Sequence, residues 1–546
     1  MPVVCNKYNM LHLQHIRALI HVMENVSEKW EFKINPWITM IPVMLSIFMF
    51  ALDETISNVA LPYMAGTFSI SQNESTWIIT SYLVASGIII PMVDFFSKLI
   101  GRKQYFILSI IIFTIASIMC GFANSMTMML VSRIIQGIGG GGIMPIAQAV
   151  IFEIFPKEKL PQAMAVFGLG VIMAPILGPS VGGWITENWS WPFIYFINIP
   201  FGILCLYLTQ QYVEEPPYSR KQENVKMDFS GFFFLAVWLL TLQVILDKGN
   251  DADWFGSPWI CKLAVISTIS FIAFIHIQRK KSITGNSLIN LSIFRNHNFL
   301  IGTGGQIVLM MVLMSSAAIL PSMLQMILGY TSFLSGLSML PRGLGCFVAS
   351  FLSGMLVVKF GIKPICVLGL TILAIGGLMF GQINTNIALA NIAIPNFVFG
   401  VGMVLSMVTL ANISCATLPN EAQTNASGVQ NLFKNVGAAI GTSIATTMIA
   451  RFSQAHQMMM VKSLTDTNQV FSERIQAISS AFMSQVDPVT AVHMAQAQIY
   501  GLLRQQAALW GYVETFRYYA VAVIIVLPFV YFLKDTSSED KKNKEN

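Results

Sequence analysis

An all-α fold embedded in a bilayer follows from three features of this sequence. Fourteen apolar runs are long enough to cross a membrane as helices. Only 11% of residues are charged, against roughly a quarter in soluble domains, so the chain cannot cover itself for water. Lys and Arg gather in alternate connections between the runs. No strand-like alternation competes with these signals.

The runs lie near 38–61, 77–97, 105–124, 127–153, 161–186, 192–212, 229–247, 258–278, 299–327, 333–357, 364–383, 387–413, 426–451 and 513–534. With the N-terminus placed in the cytoplasm, the inner connections hold Lys98, Arg102, Lys103, Lys157, Lys159, Arg220, Lys221, Lys226, Arg279, Lys280, Lys281, Arg295, Lys359 and Lys363. The short outer loops hold only Lys248. Lys534, Lys541, Lys542 and Lys544 put the tail inside as well, which fits an even number of spans. The inner connection 414–425 has no basic residue and does not bear on orientation.

The predicted organisation is a cytoplasmic lead-in (1–37), a six-helix half (38–212), a linker with two additional central helices (213–298), a second six-helix half (299–534) and a cytoplasmic tail (535–546). The lead-in does not read as a signal peptide, since His12, His15, Arg17 and His21 interrupt its apolar residues and no small-residue cleavage site follows. It reads as a short amphipathic surface helix or as sequence upstream of a start at Met23. A weak repeat relates Asp94 to Lys103 (DFFSKLIGRK) with Gly354 to Lys363 (GMLVVKFGIK), at matching points of the two halves. The long outer segment 452–512 is expected to hold extramembrane helix, with Asp487 as an N-cap and Pro488 at the first helical position.

Composition also excludes some functions. The net charge of +6 comes from short runs between spans, so a nucleic-acid partner is not expected. The seven cysteines have neither metal-ligand nor redox spacing, and no metal or cofactor is expected. Gly137, Gly139 and Gly142 match a dinucleotide fingerprint, and Gly178, Ser180 and Gly182 match a nucleophile elbow. Both motifs need a strand and a turn, and both lie here inside apolar spans. The glycines instead form small-residue stripes (Gly170, Ala174, Gly178, Gly182; Gly137, Gly141; Gly437, Gly441) that let helices approach closely, either as static packing or as a sliding interface near Pro175 and Pro179.

Charges within spans cost several kcal/mol at the bilayer centre, roughly 2.5–3.5 on insertion scales, and therefore point to function. Asp53 and Glu54 lie in span one, Arg133 in span four, Arg342 in span ten and Lys434 in span thirteen. Helical rise puts Asp53 about 14 Å and Arg133 about 9–10 Å below the outer surface, close enough for an ion pair or a shared water pocket. The pair reads either as structural or as a proton-carrying acid beside its cation. Asp53 and Glu54 point about 100° apart, so one can face a cavity while the other faces helix partners. Arg342 and Lys434 either counter the acids or attract an anionic substrate group.

Several segments resemble the major facilitator superfamily, specifically its fourteen-span drug:proton antiporters of the EmrB/QacA type. They are Leu52-Asp53-Glu54-Thr55 through Pro62; Arg133 with Gln136, Gly137, Gly139 and Gly140; and Ala174-Pro175 through Gly178-Pro179-Ser180 to Gly182-Gly183. Trp189 to Phe193, Ile197-Asn198-Ile199-Pro200, Leu242-Gln243, Asp247-Lys248-Gly249 and Asp253-Trp254-Phe255 follow in the family's order. The resemblance covers about 38–534. It implies the major facilitator fold and export of small amphipathic compounds across a bacterial cytoplasmic membrane, driven by inward proton flow, with both termini cytoplasmic. It assigns proton coupling to Asp53, Glu54 and Arg133, and helix packing to Pro175, Gly178, Pro179, Gly182 and Gly183. Substrate binding or gating falls to Gln136, Arg342, Lys434, Asp94 and Arg102. It also implies a periplasmic adaptor and an outer-membrane channel as partners, beside substrate, protons and lipid. In the loop after span two, Asp94 stands where the family has Gly and Lys98 where it has an acid, so the latch charges are expected in exchanged positions, with Asp94 as the acid. Lys434 replaces an Arg. Other readings are a dedicated exporter of an endogenous metabolite such as a siderophore, and a non-transporting receptor or scaffold.

Overall fold

The computed structural model describes residues 33–533, except 157–158, 217–220, 222–227, 284–287, 290, 386, 416, 419 and 466–467. The expectations for the lead-in, Lys157, much of the linker and the tail therefore lie outside the described residues. The regular elements among those described are all helices, with no strand among them.

The first half comprises α1 (Pro36–Phe68), α2 (Trp77–Ile89), α3 (Val93–Ile100), α4 (Arg102–Gly121), α5 (Met126–Ile154), α6 (Leu160–Asn188) and α7 (Asn198–Tyr212). Local sequence sets these bounds. Asn35 caps α1 by accepting from the Trp37 amide at 3.0 Å, with Pro36 at the first helical position. Pro91 lies in the 3-10 turn Ile90–Met92 that divides α2 from α3, since proline has no N–H for the helical ladder. Gly101, at φ 103°, turns the chain into α4, a conformation that favours glycine.

Two helices follow, α8 (Phe229–Lys248) and α9 (Pro258–Ile283). The second half comprises α10 (His297–Met326), α11 (Leu340–Phe360), α12 (Ile362–Phe380), α13 (Leu389–Cys415), α14 (Asn420–Val461), α15 (Gln469–Phe482) and α16 (Pro488–Tyr531). Eleven helices are long and apolar enough to cross a membrane among the described residues. The α2 stretch, shortened by its 3-10 turn, counts only among the shorter apolar helices. Asp487 caps α16 by accepting from the Thr490 amide at 3.1 Å, with Pro488 at the first helical position as expected.

Apolar packing separates into three clusters. One gathers residues from Met40 to Val213, around Phe106, Phe113 and Tyr195. A second gathers residues from Leu309 to Leu533, around Phe380, Phe399 and Phe516. The third joins α8 and α9 to Phe299, Val429 and Leu432. Val265, Ile269 and Ile272 of α9 are exposed, as a lipid-facing surface requires.

Small residues bring the helices of each half into backbone contact. Gly182 faces the backbone and side chain of Ile56, and Gly178 lies against Thr55, so the α6 stripe rests on α1. Gly437 and Gly441 rest in the same way on Ile307 and Met311 of α10. Lipid supplies no hydrophobic drive between helices, so this close packing is a main source of cohesion.

Candidate functional site

The adjacent acids of α1 enter different surroundings. Asp53 points into the first half and is fully buried. Its Oδ2 accepts from Arg133 Nη1 at 2.6 Å. Its Oδ1 accepts from Gln136 Nε2 at 2.9 Å and from Asn198 Nδ2 at 2.8 Å. The ion pair that the helical rise placed within reach is thus formed, with two amides completing it.

The cluster is built by helix periodicity. Gln136 stands one turn after Arg133, so both project from one face of α5. Its Oε1 accepts from Arg133 Nη1 at 2.7 Å while its amide serves Asp53. Arg133 Nε donates to the Ile78 carbonyl at 3.1 Å, and the guanidinium carbon lies 4.2 Å from the Tyr82 ring centroid. Asn198 is held in turn by Ser117 Oγ at 2.9 Å. A buried charge pair is tolerated when most of its remaining bonding capacity is filled in this way, and here Arg133 Nη2 is left without a hydrogen-bond partner among the described residues.

Glu54 points to a different place. It lines a cavity of about 500 Å³ between the two halves and α8, and forms no hydrogen bond or ion pair among the described residues. Asn58 of α1 and Thr80 of α2 share that wall with Gln243 and Asp247 of α8. Met314 and Pro321 of α10 and Asn435 of α14 complete it. Most of the surface is apolar, with carboxylates from Glu54, Asp247 and Asp251, and neither Lys nor Arg lines it. Such a cavity suits an amphipathic molecule.

The other predicted site residues are dispersed. Gln136 lies in the ion-pair cluster, not on the cavity wall. Arg342 is buried in the second half without an acidic partner among the described residues. Nε donates to Asn396 Oδ1 at 3.0 Å, Nη1 to Ser316 Oγ at 3.1 Å, and the guanidinium sits 4.6 Å from the Phe399 centroid. Lys434 is half-buried near Cys415 and does not line the cavity, although its neighbours Leu432 and Asn435 do. Arg102 pairs with Glu153 at the end of α5. The next residue, Lys103, donates its backbone N–H to Glu215 Oε1 at 3.2 Å. The side chain of Asp94 lies outside the described residues; the acid seen against Arg102 is Glu153. Pro179 faces the cavity, Gly183 is buried, and the Pro175 side chain lies outside the described residues.

Sequence reasoning passed over Tyr82, Asn198, Asp247 and Glu153 as site residues. Asn198 and Asp247 stood inside quoted motifs, which was the available signal. Glu153 is distant in sequence from Arg102, and nothing local joins them.

Two helical halves around a shared cavity, with an ion pair buried beside it, define a membrane transporter. The chain belongs to the Major Facilitator Superfamily, whose family model matches residues 43–442. It is 31% identical over 503 residues to the probable multidrug resistance protein EmrY of Escherichia coli (strain K12), covering 91% of this chain and 95% of the relative. The multidrug export protein EmrB of the same organism is 30% identical over 511 residues, covering 91% and 95%. The fatty acid resistance protein FarB of Neisseria gonorrhoeae is 28% identical, covering 91% and 96%. The likeness to EmrB-type chains read from the motifs is therefore borne out, in a family of transporters and not of enzymes. The fold also matches a crystal structure of a bacterial homolog to the human lysosomal transporter Spinster, in an inward-facing and occupied conformation. The TM-score is 0.54 at 16% identity, covering 90% of this chain and 96% of that one.

Proposed function

We propose that this protein exports small amphipathic compounds in exchange for protons, by alternating access of two six-helix halves joined by two further spans, fourteen in all. One observation carries the reading: of two adjacent acids, one is locked in an ion pair and the other lines the cavity between the halves with no ion pair among the described residues.

Glu54 is the proton carrier in this scheme. A proton arriving from outside neutralises it and removes the reason for a cationic or polar cargo group to stay. Release of that proton to the cytoplasm restores the charge and readies the site for cargo. Asp53 stays bound to Arg133, Gln136 and Asn198 and fixes how α1 turns. The energy comes from the inward proton gradient, and the difference in cargo affinity between the two protonation states couples it to export. On the side the basic residues place inside, Asn431 Nδ2 donates to Gln148 Oε1 at 3.0 Å and ties the halves together. The Arg102–Glu153 pair is the gating latch nearby. Arg342 holds α10, α11 and α13 in register as a rigid body. Lys434 is the gating cation of α14.

The names of EmrB and EmrY support broad drug export; the Lys and Arg distribution supports a placement in a bacterial cytoplasmic membrane with both termini inside. The outer helices α15 and the first part of α16 would meet a periplasmic adaptor and, through it, an outer-membrane channel. Exposed Val470, Val489 and Leu502 there support a docking role.

The test is transport in proteoliposomes under an imposed proton gradient. Glu54→Gln is expected to abolish gradient-driven accumulation while cargo exchange without a gradient persists. Gradient-driven accumulation by Glu54→Gln at the wild-type rate would falsify the assignment.

A further inference from the structure

The second acid of the cavity is carried by neither half. We infer that Asp247, on α8, is the charge-selecting residue of the cavity and pairs with the positive head of a cationic amphiphile. This rests on the proposed export reading and adds a cargo class to it.

Asp247 sits at the cavity end of α8, where two neutral groups aim it. The Thr80 hydroxyl donates to Oδ2, and Gln243 Nε2 donates to Oδ1 at 3.3 Å. Neither contact compensates its charge. Among the described residues it forms no ion pair, although Lys248 is its chain neighbour. Lys248 is engaged elsewhere: its Nζ lies 3.2 Å from Thr76 Oγ1, 3.9 Å from Asp251 Oδ2 and 5.4 Å from the Trp77 ring centroid. The Asp247 carboxyl thus lines the cavity together with apolar Met314 and Pro321.

A carboxylate facing an apolar wall without a counter-ion is costly, and a cation with an apolar body offsets that cost while filling the wall. An anionic amphiphile meets Glu54 and Asp247 with no cation lining the cavity to receive it. The wall that carries Asp247 is also fixed in place. Ser443 Oγ of α14 donates to the Leu246 carbonyl at 2.6 Å, and Thr80 ties α8 to α2. The helix inserted between the halves therefore supplies recognition, while α1 supplies the carrier of the exchanged proton.

The test uses purified full-length protein, with tetraphenylphosphonium as the cationic probe and oleate as the anionic one. Wild type is expected to bind the cation and not oleate. Asp247→Asn should weaken cation binding by about tenfold or more, while Asp247→Glu stays within about threefold. Asp253→Asn, which breaks the exposed pair with Arg451, should leave it unchanged. If Asp247→Asn does not fold, carbodiimide labelling of wild type decides instead: tetraphenylphosphonium should protect Asp247 and oleate should not. Full cation affinity in Asp247→Asn, tighter binding of oleate than of the cation, or no protection overturns the inference. Asp247-dependent cation binding without gradient-driven transport would instead overturn the export reading and leave this site standing.

Discussion

The two halves share a scaffold and differ in the chemistry loaded on it. Ser69 and Gly329 both take positive φ, as do Gly101 and Gly361, and each pair is 260 residues apart. Ser71 and Thr331, also 260 apart, both cap short helices by accepting from the amide three residues on. The small-residue stripes of α6 and α14 rest on α1 and α10 in the same manner. The sequence repeat at Asp94 and Gly354 has the same spacing.

On this shared frame the polar groups diverge. Glu54 and Met314 occupy equivalent register positions and both line the cavity, yet only one can carry a proton. Tyr82 and Arg342 are likewise equivalent. In the first half the ring lies under Arg133, which pairs with Asp53; in the second the cation itself takes the ring's place and meets only neutral acceptors. The buried acid pair and the cavity acid of α1 lie in the first half, and at these equivalent positions the second half carries no acid.

The most severe way to break this contrast is to remove each buried arginine. Arg133→Leu leaves the Asp53 charge buried and uncompensated, and should cost about 3–5 kcal/mol. Arg342→Leu leaves only Asn396 and Ser316 without their donor, and should cost about 1–3 kcal/mol. Unfolding of the two variants in detergent compares them directly, and equal losses would remove the distinction.

The packing stripes give a smaller effect. Gly441→Ala meets the Met311 backbone, whereas Gly178→Ala first meets the Thr55 side chain. A side chain can yield and a backbone cannot, so Gly441→Ala should be the more damaging within a range of about 1–3 kcal/mol. Thermal unfolding of both variants checks the order.

The caps differ least. Glu74 accepts from the Ser71 amide and hydroxyl, and these bonds hold its carboxyl below the ordinary value of 4.5. Its stabilising contribution is full above the unfolded value and fades as pH falls through the lower folded value. At the matching cap of the second half, Leu334 stands where Glu74 does and cannot titrate. The melting-temperature gap between wild type and Glu74→Gln should therefore narrow on acidification below 4.5. A gap independent of pH would show that the cap does not depend on that charge.

Much of the fold was legible because spans announce themselves by length and by the cost of charge in lipid. The Asp53–Arg133 pair was legible for the same reason, through helical rise alone. Which acid faced the cavity was not, because two positions 100° apart are told apart only by the helices packed on each side. The role of Gln136 was hidden likewise: a Gln on α5 can serve a cavity or an ion pair, and Asp53 decides which. The break in α2 traces to Pro91, visible in sequence, but an unbroken apolar run outweighed it. Asp247 lay in a recognisable motif, while its place on the cavity wall depends on α8 packing between α2 and α14.

The helices α14 and α16 run for 42 and 44 residues, about 63 and 66 Å at helical rise, against a hydrocarbon layer about 30 Å thick. Phe452 stacks on Tyr518 at 5.5 Å, His456 meets Glu514 at 2.9 Å, and Gln457 donates to Tyr500 at 2.6 Å, which clamps the two helices together from the start of the last predicted span outward. Mechanically they are a lever cast in one piece with the second half. With about 35 Å of α16 projecting, a rocking of about 10° at the membrane sweeps its tip by about 6 Å. Any body gripping that tip would be moved once per cycle, and a load applied there would be felt at the cavity.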